Sequence, residues 1–90
     1  MTLQQQLAAW LPYYTRNPFS PDAKLWAPDL AEPLGMSRHG VAKWFREGKL
    51  TADGAKKLCA LANAPLNMAA LERLDAAPPK IEDFAQFVLA

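Results

Sequence analysis

The stretch Leu30 to Gly48, LAEPLGMSRHGVAKWFREG, restricts what this chain can fold into more than any other. Within it, Ala31, Gly35 and Val41 fall in an A-x3-G-x5-V pattern. Two helices that cross at roughly 90–120° through a turn of three or four residues need these residue types. Ala31 is small where the second helix presses on the first. Gly35 can take the left-handed conformation past a helix end, where a β-carbon is costly. Val41 points back into the angle between the helices, with Leu30, Leu34 and Met36 supplying apolar surface below. The motif spans about residues 27–48, and its second helix runs from about Ser37 to Glu47.

Local signals agree with that outline. The Ser37 hydroxyl can accept one of the unpaired N–H groups at the start of the second helix. Val41, Trp44 and Phe45 follow i, i+3, i+4 spacing and mark its buried stripe. Arg38, His39, Ala42, Lys43 and Arg46 then lie mostly on the other faces. Gly48 is placed to end the helix. Gly40 costs about 1 kcal/mol relative to alanine in a helix interior, so its missing side chain is expected to relieve crowding by a neighbouring backbone. Pro33 falls late in the first helix, where it removes a hydrogen bond and forces a kink or an early end.

The run G-M-S-R-H-G-V-A-K-W-F-R-E-G resembles the turn and second helix of the lambda-repressor-like helix-turn-helix domains, the phage-repressor, Cro and XRE-type class. The likeness includes the internal glycine–valine pair and the phenylalanine near the helix end, and extends more loosely through Leu74. It implies a DNA-binding domain in which Arg38 and His39 match the two base-reading positions at the helix start. Lys43 matches a third groove-facing position. The joint after the helix, Lys49 and Thr51, matches a region that touches the DNA backbone. Two positions depart from the pattern: Ala27 stands where the family often has glutamine, and Pro33 interrupts the first helix.

Charge is sorted along the chain although its net value is only +1. Residues 38–57 hold Arg38, Lys43, Arg46, Lys49, Lys56 and Lys57 against Glu47 and Asp53, a surplus of four positive charges. Residues 1–37 carry one excess negative charge and residues 58–90 two. Such sorting can set one face on phosphates while the rest stays neutral or acidic. The plain alternative is a set of solvated helix faces.

Ninety residues make one domain-sized chain, which buries only somewhat over ~60% of its unfolded surface. The 51% apolar fraction suffices for a core. The expected fold is all-α, a compact five- to six-helix domain containing the lambda-repressor-like motif. Residues 1–76 form the helix-turn-helix domain; residues 77–90 form a short linker and a C-terminal amphipathic helix. No run is long enough to span a membrane, no signal peptide is expected, and one cysteine suits a reducing, cytoplasmic setting.

Thr2 can cap a first helix, TLQQQLAAWL, whose apolar stripe is Leu3, Leu7, Trp10 and Leu11. Residues 12–28, PYYTRNPFSPDAKLWAP, carry Tyr13, Tyr14, Phe19 and Trp26 among four prolines. This reads as an ordered loop with a helical turn at Ser20-Pro21-Asp22, its aromatics covering the core, or else exposed as a partner surface. Thr51 caps a fourth helix that buries Ala55, Leu58, Cys59, Leu61 and Ala62. Asn67 is expected to cap a short fifth helix, with a Leu66–Leu71 hydrophobic staple, and DAAPP (75–79) to act as a hinge. In the tail, Ile81, Phe84, Ala85, Val88 and Leu89 share one helical face. That helix is too short to stand alone, so it docks on its own domain or on a second copy, two outcomes that stay equally open.

No catalytic chemistry is legible. A lone His39 and a lone Cys59 cannot form a tetrahedral metal site, and Cys59 reads as a small buried hydrophobe. The two serines, Ser20 and Ser37, sit at expected helix starts. No enzyme, metal, cofactor or small-molecule substrate is expected. The expected function is sequence-specific binding of double-stranded DNA by a small phage- or bacterial-type transcriptional regulator. Arg38, His39 and Lys43 contact bases; Ser37, Arg46, Lys49, Thr51 and Lys56 contact the DNA backbone. The alternative is a protein-interaction module on the same scaffold, working through loop 12–28 and the C-terminal helix.

Overall fold

Three of the α-helices begin at a side chain that accepts a free backbone N–H, and the other two carry a proline in their first turn. The computed structural model describes residues 2–21 and 23–88. Among them it contains five α-helices: α1 (Leu3–Trp10), α2 (Ala27–Leu34), α3 (Arg38–Glu47), α4 (Ala52–Ala62) and α5 (Pro65–Arg73). Two 3-10 helices, Pro12–Tyr14 and Ile81–Phe87, complete an all-α architecture without strands among the described residues. Thr2 and Gln5 cap α1 reciprocally, with the Thr2 hydroxyl accepting the Gln5 N–H at 3.2 Å and the Gln5 amide accepting the Thr2 N–H at 3.0 Å. Ser37 caps α3 and Thr51 caps α4 by the same kind of bond.

A short turn at residues 35–37 connects α2 to α3. Pro33 is held inside α2, one residue before its end. Gly35 turns left-handed at φ +66°, and the Met36 N–H reaches back to the Ala31 carbonyl at 3.0 Å. Ala31 and Val41 are buried, and α2 packs more extensively on α3 than any other pair of helices packs. The core gathers Leu3, Leu7 and Leu11, then Leu25, Leu30, Val41, Leu50 and Leu58, with Phe84 closing it from the tail.

Several expectations give way to tertiary structure. Residues 16–24 form a ribbon-like loop closed by an isolated antiparallel bridge between Arg16 and Lys24. The Ser20 N–H bonds to the Asn17 carbonyl at 3.0 Å, and the Ala23 N–H bonds to the Ser20 carbonyl at 3.1 Å, a single turn that begins at Ser20; Asp22 lies outside the described residues. From this segment Leu25 fills the core and Tyr14 packs against it, whereas Tyr13, Phe19 and Trp26 are 51%, 73% and 47% exposed. Asn67 does not cap α5. Proline preorganises a first helical position, and α5 starts at Pro65 with Ala64 before it. Leu66 is exposed, so the staple to Leu71 does not form. The DAAPP segment is tied down at its end, where the Pro79 carbonyl accepts the Asn63 amide at 3.0 Å.

The tail coils as a 3-10 helix rather than an α-helix. With three residues per turn, Ile81, Phe84 and Phe87 align, and the expected stripe through Ala85 is lost, leaving Ala85 exposed. Leu89 lies outside the described residues. Phe84 meets the Trp10 ring at 4.6 Å, and Phe87 meets it at 6.5 Å. The tail therefore docks on its own chain, and the Phe87 carbonyl accepts the Leu50 N–H at 2.7 Å.

Two glycines differ in what they accommodate. A β-carbon on Gly54 would sit 2.6 Å from Trp44 Cζ2 and 3.0 Å from Thr51 Oγ1, so α4 approaches α3 against a rigid ring. At Gly40 the nearest atom is the mobile Met36 methyl at 3.2 Å; no backbone crowds it, contrary to expectation. Alanine is favoured over glycine in a helix by about 1 kcal/mol, whereas overpacking a core costs about 1–3 kcal/mol. Gly40→Ala should hold or raise the melting temperature, and Gly54→Ala should lower it. Thermal melts of the two variants decide this; equal shifts would contradict the Trp44–Gly54 packing.

Candidate nucleic-acid interface

Helix α3 turns about 100° per residue. With Val41 and Trp44 buried, His39, Lys43 and Arg46 fall at i, i+4 and i+7 on the opposite side, and all three are exposed. Arg38, at the first helical position, is exposed as well. The Ser37 hydroxyl accepts the Gly40 N–H at 3.2 Å, and its own O–H is a further donor for a partner. Gly48, left-handed at φ +67°, ends the helix.

The joint between α3 and α4 is pinned from within. Leu50 is fully buried and held by the tail, while its neighbours Lys49 and Thr51 are exposed. A cleft of about 230 Å³ opens beside the joint. Lys43, Lys49 and Thr51 line it together with Met36, Gly40, Trp44, Glu47 and Leu50. Three of the residues chosen from sequence are thus brought to one place. Arg38, His39 and Arg46 lie along the exposed face of α3 outside this cleft. Lys56 stands apart: it follows Gly54 by two residues, about 200° around α4 from the side that meets Trp44.

Among the described residues, Arg38, Lys43, Arg46, Lys49 and Lys56 have no carboxylate within 4.0 Å. Lys57 is the exception in this region, 3.5 Å from Asp53 one helical turn away. Arg16 is committed elsewhere. It bonds to Asp29 at 2.9 and 3.4 Å and lies over the Trp26 ring at 5.1 Å. The hydrogen bond to Asp29 holds the Arg16 guanidinium above its ordinary pKa. Burial pushes the Cys59 thiol up, with Glu82 and Asp83 adding to the shift and the Asn63 hydrogen bond opposing it. That half-buried side chain is a packing group against Pro79.

Sequence reasoning missed two features of this face. Glu47 lines the cleft between the cations, where it repels an anion; along the chain it registers only as counter-charge. Gly54 sets how closely α4 approaches α3, and a glycine three residues after a capping threonine was the available signal. No helix among the described residues is long and apolar enough to cross a membrane. No protein-family model, curated protein or solved structure matches the chain.

Proposed function

We propose that this chain is a sequence-specific double-stranded DNA-binding protein, a small transcriptional regulator of phage or bacterial type, with α2, its turn and α3 acting as a lambda-repressor-like helix-turn-helix. One observation carries the reading: α3 presents Arg38, His39, Lys43 and Arg46 outward, each cation without an ion-pair partner among the described residues. An α-helix fits the major groove of B-DNA. Arg38 can bond bidentately to the O6 and N7 of guanine, and His39 and Lys43 reach base edges further along. Arg46, Lys49, Thr51 and the Ser37 N–H hold the sugar–phosphate track, which supplies affinity without sequence information. Lys56 adds charge from the flank of α4. A two-fold dimer would read inverted half-sites about 34 Å apart.

Arg38→Ala should cost about 1–3 kcal/mol of binding and relax specificity at one base pair. Lys49→Ala should weaken all duplexes alike and reduce the salt slope by about 1. Anisotropy titrations of labelled duplexes test both. If neither variant changes binding, α3 does not dock in this way.

A second reading has its own observation, the exposure of Tyr13, Phe19 and Trp26. These can serve a protein-interaction module. Heparin separates the two: a DNA binder is retained at low salt and released as salt rises, whereas an interaction module flows through.

A further inference from the structure

Away from α3, Arg16 and Lys24 stand directly opposite each other, joined by backbone bonds of 2.9 and 3.2 Å. Side chains so paired share one face of the ribbon, and like charges there repel. The turn needs those backbone bonds but not two cations. Asp29 compensates one of them, through the bonds of 2.9 and 3.4 Å to Arg16. Lys24 is exposed and has no carboxylate within 4.0 Å among the described residues. With Asn17 and Trp26, the two cations line a concave pocket of about 370 Å³. Trp26 and Lys24 also border a neighbouring cavity of about 500 Å³.

We propose that this pocket binds a backbone phosphate of duplex DNA, on a strand bordering the groove that α3 enters; the proposal rests on that reading of α3. Lys24 supplies the uncompensated charge. Arg16 keeps N–H donors not used by Asp29, Asn17 offers an amide, and the Trp26 ring packs against the deoxyribose. Position favours this partner. Trp26 is the residue before α2, whose eight residues rise about 12 Å before the turn into α3. The pocket therefore lies at the N-terminal end of the helix that leads into α3.

The test compares the full chain with Lys24→Gln, Lys24→Arg and the charge-matched control Lys80→Gln. Binding of a labelled duplex is followed by anisotropy from about 50 to 200 mM salt, with ethylation interference at each phosphate. Lys24→Gln should lower the salt slope by about 1 and affinity several-fold, equally for all sequences. Interference at one phosphate outside the α3 footprint should vanish with it. Lys24→Arg should restore both, and Lys80→Gln should change neither. If Lys24→Gln keeps the parental slope and interference pattern while Arg38→Ala weakens binding, the pocket assignment is overturned and the α3 reading stands. If the unaltered chain binds no duplex, both fall.

Discussion

Phe84→Ala should cost about 3–5 kcal/mol of folding stability, the usual range for emptying a buried phenylalanine site. Phe84 is 1% exposed and seals the core against the Trp10 ring at 4.6 Å. The total stability of a domain this size is about 5–15 kcal/mol, and each kcal/mol moves the melting temperature by about 4–8 °C. A drop of at least about 12 °C is therefore expected in a thermal melt. Ile81→Ala, at a half-exposed position of the same 3-10 helix, is the control and should shift it little. A Phe84→Ala melt within a few degrees of the parent would show that the tail is not part of the core. The tail also holds the Leu50 N–H beside Lys49 and Thr51, so duplex binding should weaken along with folding.

Asn67→Leu should also destabilise the fold. Asn67 is fully buried in α5, and its side chain joins three parts of the chain. Its amide donates to the Trp10 and Ala62 carbonyls at 2.9 and 2.8 Å, and its oxygen accepts the Tyr13 N–H at 3.3 Å. Leucine has similar bulk but leaves those backbone groups without this partner. An unsatisfied buried polar group costs about 1–3 kcal/mol; the Ala62 bond is buried and those to Trp10 and Tyr13 are half-buried, so a loss of about 1–3 kcal/mol is expected in urea denaturation. Asn67→Asp keeps the acceptor but turns a carboxylate toward two carbonyls, and should be no better. A variant as stable as the parent would show that these bonds contribute nothing net.

What the sequence made legible was what depends on neighbours along the chain. Caps at Thr2, Ser37 and Thr51, left-handed glycines at positions 35 and 48, and the inward face of α3 all follow from local backbone chemistry. Asn67 was not legible, because two of its three partners lie 54 and 57 residues away and asparagine alone resembles a cap. Phe87 was missed because a 3.6-residue period was applied to a tail that coils with three residues per turn. At the candidate interface, periodicity sufficed to place His39, Lys43 and Arg46 outward. It could not place Glu47 in the cleft or Lys56 on the far flank of α4, since both depend on how α4 crosses α3.

The claim that α3 reads base sequence is tested most directly by selecting bound duplexes from a random pool with the unaltered chain. Enrichment of a short motif that contains a guanine contacted by Arg38 is expected. A bound pool with the same base composition at every position as the starting pool would contradict it.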